Sequence, residues 1–158
     1  MIRLAETPRV VFDCNVVVQA IANDTGPSGQ AVGLLDKNRI RVFTSRAALK
    51  ELRLVLNYPT VRQKLPGLDD ARIEAFMQRF VFRATLVRKV GRLFHYPRAK
   101  QDEPYLDLAA AAKATHLVSQ DSDLLSLASD HTLIAKEFRQ KCPGLRIVDP
   151  ITFLSLTQ

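Results

Sequence analysis

The chain has two cysteines in 158 residues. Cys14 and Cys142 lie far apart and follow no metal-ligand spacing, which excludes a thiolate metal site. Two reduced thiols in a cytoplasmic protein are expected instead. Long hydrophobic runs are also missing. Apolar residues make up 47% of the chain, yet no run approaches the length of a membrane span. The opening MIRLAETPRVVF has no long apolar segment before its first acid, so no export signal is expected. Internal repeats, low-complexity tracts and an inter-domain linker are all lacking. A single domain over 1–158 is the expectation, long enough to bury a core without covalent staples.

Acids are absent from one long stretch. Between Ala75 and Gln101 there is none, while seven bases occur: Arg79, Arg83, Arg88, Lys89, Arg92, Arg98 and Lys100. The whole chain carries a net charge of +7. Such a balance speaks about partners rather than fold, and a clustered basic stretch suits a phosphate backbone. Aromatic residues there are few, and Phe80, Phe82, Phe94 and Tyr96 are the candidates for base stacking. Phe80 and Phe82 are expected in the core instead.

What is present is an alternation of strands and helices. RVVF, 9–12, reads as a buried strand, and RIRVFTS, 39–45, as a β-branched alternating one. ATLVRKV, 84–90, is a further candidate strand; HLVSQ, 116–120, and LRIVD complete the set. DTGPSGQ is a loop, and GQAVGLLDKN a short helix ending near Asn38. RAALKELRLVLN carries Leu49, Leu52 and Leu56 on one stripe behind Ser45, a good N-cap. Helices are also expected over TVRQKL, over LDDARIEAFMQRFVFRA capped by Asp69 or Asp70, over 102–114, from SDLLSLAS, and over PITFLSL. This order predicts a three-layer α/β/α sandwich around a mostly parallel sheet.

In such sheets ligands bind beyond the carboxyl ends of the strands. Asp13 directly follows the first strand, and Asp121 directly follows HLVSQ. Asp102 opens the helix leading to that strand, and Glu51 flanks the apolar stripe of its own helix. Asp123 lies two residues beyond Asp121. Taken singly, Asp102 and Asp123 read as helix caps, Glu51 as a solvated side chain, and Asp13 and Asp121 as turn formers. Gathered in one cleft they repel: two carboxylates 4 Å apart cost roughly 4 kcal/mol at an effective dielectric near 20. Protonation, a basic partner or a divalent cation relieves that cost. Oxygen-only donors suit Mg²⁺ or Mn²⁺. A cation site beside a basic track describes a metal-dependent nuclease.

The ordered set resembles the PIN-domain ribonucleases, in particular their toxin–antitoxin branch. The matching segments are FDCN, SRAALKELRLVLNYP, QDEPYLDLAAAAKATHLVSQDSDLL and RIVDPITFLSL, which together span nearly the whole chain. The resemblance implies a catalytic and metal-binding set of Asp13, Glu51, Asp102 and Asp121, supported by Asn15, Ser45 and Asp123. It implies metal-dependent endonucleolytic cleavage of single-stranded RNA, with Mg²⁺ or Mn²⁺ as cofactor. It also implies an antitoxin protein partner and a homo-oligomer, a dimer or tetramer, with no membrane association. Arg88, Lys89, Arg92, Arg98 and Lys100 would track the RNA backbone. Cys14 stands where the family has Thr, and Arg46 where it has Pro. Asp102 fits the spacing to Asp121 better than Asp107 does.

Two other readings compete. FDCN is weakly similar to the Asp-x-Asp start of aspartyl-phosphate phosphohydrolases, but Asn15 stands where the second acid belongs. A non-catalytic RNA-binding module fits the charge equally well, but gains nothing from acids that repel phosphate.

Overall fold

In the computed structural model, which describes residues 6–157, five strands form one all-parallel sheet in the order β3-β2-β1-β4-β5. The strands are β1 (Arg9–Phe12), β2 (Arg41–Thr44), β3 (Thr85–Leu86), β4 (His116–Val118) and β5 (Arg146–Val148). Parallel strands covered on both faces read as continuous apolar runs, and β1 does so: Val10, Val11 and Phe12 are all buried. Among the described residues nine α-helices and a 3-10 helix, Pro97–Asp102, connect and cover the strands. The expected sandwich is therefore present.

The chain order reverses beside β1. It passes from β1 to β2 on one side and reaches β4 on the other. Phe12 pairs in register with Val118, and the Asp13 backbone N–H donates to the Val118 carbonyl at 3.0 Å. Asp13 and Ser119 thus leave the sheet side by side, at the crevice where such folds bind ligands.

The helices follow local signals. α1 (Cys14–Ala22) starts directly after Asp13, which caps it, and buries Val16, Val17, Val18 and Ile21. α3 (Arg46–Leu56) is capped by Ser45, whose Oγ accepts from the Ala48 N–H at 3.1 Å. Its leucine stripe faces inward, with Leu52 and Leu56 buried. α4 (Pro59–Lys64) begins at its proline. α5 (Asp70–Arg83) is capped by Asp69, which accepts from the Arg72 N–H at 2.7 Å. α6 (Glu103–Ala111), α7 (Ser122–Ser126) and α9 (Pro150–Thr157) fall where the pattern places them.

Four details differ from expectation. α2 (Pro27–Gly33) stops before Asn38, which instead closes a turn at a left-handed φ of 57°. β3 keeps only two exposed residues of the expected 84–90, because it is an edge strand; after the Val87 N–H donates to the Thr44 carbonyl, the chain leaves the sheet. α8 (Leu133–Lys141) is not among the expected helices, since its apolar content is low and its buried side is only Ala135 and Phe138. Its start is marked by Thr132, whose hydroxyl accepts from the Ala135 N–H. Finally, Phe80 is buried as expected, but Phe82 is 88% exposed. Two residues along a helix turn a side chain by about 200°, so the pair cannot share the core.

Candidate metal centre

The carboxyl crevice holds three acids from three elements. Asp13 ends β1, Asp121 follows β4, and Asp102 precedes α6. One carboxylate oxygen from each lies within 4.8 Å of the other two. Asp13 and Asp102 are buried, and Asp121 is half-buried.

Each is fixed differently. Asp13 Oδ1 accepts from the Cys14 N–H at 2.7 Å, and Asp13 Oδ2 accepts from the Ser119 hydroxyl at 2.8 Å. Ser119 Oγ in turn accepts from the Asp121 N–H at 2.9 Å. Asp121 Oδ1 caps α7 by accepting from the Asp123 N–H at 2.8 Å. Asp102 stands at the N-cap of α6 but makes no capping bond. Its Oδ2 is buried without a hydrogen-bond partner. A buried carboxylate oxygen with no donor is costly, and this carboxylate also stands beside two other acids.

The electrostatics express that cost. Burial, then Asp121 and then Asp13, push the Asp102 carboxyl up to about 7. Burial also raises Asp13, against the opposing pull of the Ser119 and Cys14 hydrogen bonds. Protonation or a hard divalent cation relieves the conflict. The orphaned Asp102 oxygen and the all-oxygen donor set fit Mg²⁺ or Mn²⁺.

Glu51 lies outside the three-acid group. It is half-buried on α3 and raised, first by burial and then by Asp13. Tyr105 and Cys14 oppose that rise. The Tyr105 hydroxyl is buried and makes no fully formed hydrogen bond. Cys14 is buried as well; burial first, then Glu51 and Asp13, push its thiol up to about 12. Cys14 therefore carries a neutral S–H directly after Asp13.

The supporting residues part company. Ser45 is buried and spends its hydroxyl on capping α3. Asp123 pairs with Arg98, Nε to Oδ1 at 2.8 Å. Asn15 is exposed on α1, and Asp13 is oriented by Ser119 and Cys14 rather than by Asn15. Arg88, Lys89, Arg92, Arg98 and Lys100 are all exposed. Phe94 and Tyr96 are buried, which removes them as stacking platforms.

Sequence reasoning misses Ser119, Tyr105 and Asp107. Ser119 is fully buried two residues before a strand-end acid, and that spacing is its signal. Asp107 interrupts the buried run Tyr105–Ala109 of α6, and an acid inside an apolar run is its signal. Its Oδ1 accepts from the backbone N–H groups of Leu93 and Phe94, both at 2.9 Å.

An all-parallel α/β sandwich with acids converging at its switch point is an arrangement suited to holding a divalent cation. The family described as PIN domain matches residues 9–123, and the chain belongs to that family. A protein of Methanocaldococcus jannaschii, itself uncharacterised, is 27% identical over 123 residues, covering 78% of this chain and 77% of that one. No solved structure matches. PIN domains are generally nucleases, and the buried aspartates are consistent with a metal site. Among the described residues no helix is long and apolar enough to cross a membrane.

Proposed function

We propose that this chain is an Mg²⁺- or Mn²⁺-dependent endoribonuclease that hydrolyses single-stranded RNA. One observation carries the reading: three aspartates share a crevice in which Asp102 Oδ2 is buried without a hydrogen-bond partner. When bound, the cation neutralises the carboxylates and acts as a Lewis acid toward a phosphate oxygen.

The chain's own residues do the rest. Asp13, Asp102 and Asp121 would hold the cation. Ser119 fixes the first and third of these against each other. Glu51, kept outside the three-acid group, positions the attacking water and accepts its proton at the carboxylate. Water adds to phosphorus in line, the bond to the 3′ oxygen breaks, and that oxygen takes up a proton. Products carry 5′-phosphate and 3′-hydroxyl ends. Exposed Arg88, Lys89, Arg92, Arg98 and Lys100 track the strand, so affinity falls with salt.

The family resemblance extends the proposal to a single-domain cytoplasmic toxin, held by an antitoxin protein and assembled as a homo-oligomer. A neighbouring small gene encoding a DNA-binding protein would support the pair.

The test is cleavage of a 5′-labelled single-stranded RNA with Mn²⁺ and with EDTA, by wild type, Asp13→Asn and Asp121→Asn. Metal-dependent cutting lost in both variants is expected. Equal cutting by all three would place the site elsewhere or reveal a contaminant. RNA bound but uncut by all would favour the non-catalytic binding module.

A further inference from the structure

The chain from Arg92 to Tyr96 lies against the first turns of α6 as a strap before a 3-10 helix, Pro97–Asp102, leads into α6, and the strap's side chains alternate. Leu93 and His95 are exposed, while Phe94 and Tyr96 are buried. The strap is tied down along its length. Asp107 Oδ1 takes the N–H groups of Leu93 and Phe94, both at 2.9 Å. Glu103 Oε2 takes the Tyr96 N–H at 2.7 Å, and the Tyr96 hydroxyl donates to the Asp123 carbonyl at 2.8 Å. Lys141 Nζ donates to the Leu93 carbonyl at 3.0 Å.

Between strap and helix lies a cavity of about 500 Å³ lined by Arg92, His95, Lys100, Glu103, Pro104 and Asp107, among others. The two acids in its wall are engaged with backbone N–H groups of the strap. His95 Nδ1 is 3.8 Å from Glu103. Arg92 and Lys100 are exposed and form no ion pair among the described residues. The backbone N–H groups of Leu93, Phe94 and Tyr96 offset the two carboxylates, and the unpaired Arg92 and Lys100 in the same lining suit a phosphate. The helix that forms its floor also carries Asp102 at its N-cap.

We propose that this cavity is a phosphate subsite for the RNA strand beside the acid cluster, with Arg92 and Lys100 as its cations and Asp107 as its positioning residue. Asp107 touches no substrate. It holds the strap, and so sets the distance between the subsite and Asp102 on the same helix. The proposal rests on the ribonuclease reading for the identity of its ligand, but binding can be read without cleavage.

The experiment measures affinity for a fluorescent single-stranded RNA in EDTA at several salt concentrations. It compares wild type, Arg92→Ala/Lys100→Ala, Asp107→Ala and Asp107→Asn. The Mn²⁺-induced rise in melting temperature is recorded for each. Arg92→Ala/Lys100→Ala should weaken binding and flatten the plot of log affinity against log salt by about 0.7 per lost contact. Asp107→Ala should flatten it too, while keeping the Mn²⁺ shift. Asp107→Asn should restore the wild-type slope, since the amide oxygen still accepts from both N–H groups. A merely structural Asp107 would lower the melting temperature and leave the salt slope alone.

Wild-type slope in Arg92→Ala/Lys100→Ala overturns the subsite, even where Asp107→Ala fails to fold. Wild-type slope in a folded Asp107→Ala overturns the positioning role. Wild type that binds RNA with the expected slope, but never cuts it with Mn²⁺, leaves the subsite standing and overturns the nuclease reading alone.

Discussion

Ser119 Oγ donates to Asp13 Oδ2 at 2.8 Å, joining two residues 106 positions apart in sequence. The same oxygen accepts from the Asp121 N–H. One hydroxyl therefore orients an acid from β1 and the turn that carries an acid from β4. Ser119→Ala removes both bonds in a fully buried place. Leaving a buried acceptor unsatisfied costs about 1–3 kcal/mol. Loss of a partner that orients a ligand weakens metal binding by roughly 10- to 100-fold. Thermal melts with a Mn²⁺ titration check both effects; an unchanged Mn²⁺ response would remove Ser119 from the site.

Asp102→Asn should separate stability from metal binding. The wild-type carboxyl is buried, stands beside two acids and has an unpartnered oxygen. A neutral isostere relieves that repulsion, so melting in EDTA at pH 8, where the wild-type carboxyl is ionised, should shift upward. Each kcal/mol gained is worth about 2–4 °C at this chain length. The Mn²⁺-induced rise should shrink or vanish, because linkage needs the ligand. A lower melting temperature in EDTA would mean that the carboxylate has a favourable partner after all.

Much of this arrangement is legible in the amino-acid sequence. Strand-end acids announce themselves because β1 is a four-residue run stopped by Asp13, and the β–α alternation fixes which sheet edge they share. Asp102 is readable only through its spacing to Asp121, since a helix-opening Asp is usually a cap. The structure shows an N-cap residue without a capping bond. What stays hidden depends on tertiary contact. Ser119 matters because β1 and β4 are neighbours, Asp107 because the strap folds back over α6, and Tyr96 is buried because of that same strap. α8 is invisible because few apolar residues mark its buried side. Phe82 is misplaced when aromatic density is weighed without the helical turn angle, which sends it away from Phe80.

The Cys14 thiol should be inert in the folded protein. Thiolate is the nucleophile, and burial together with Glu51 and Asp13 holds this thiol protonated up to about 12. Iodoacetamide at pH 8, followed by peptide mass mapping, should leave Cys14 unmodified in the native state. It should be labelled after denaturation. Rapid native labelling of Cys14 would show that the crevice opens or that the thiol is not buried.

Metal affinity should climb with pH and level off above about 7. Asp102 is held protonated to about 7 in the folded chain, against an ordinary value of 3.8. Between those values the native state binds a proton that the unfolded state does not. Stability without metal therefore falls as pH rises from about 4 through 7, and is constant with respect to this group on either side. A cation requires the deprotonated carboxylate, so below pH 7 its binding must expel that proton. The Mn²⁺-induced rise in melting temperature should accordingly be larger at pH 8 than at pH 6. Calorimetry in buffers of different ionisation enthalpy should detect proton release at pH 6 that fades by pH 8. Asp102→Asn should flatten the EDTA stability profile over this window. A Mn²⁺ response equal at both pH values would show that Asp102 is already ionised at pH 6, and that the cluster is stabilised by something other than its proton.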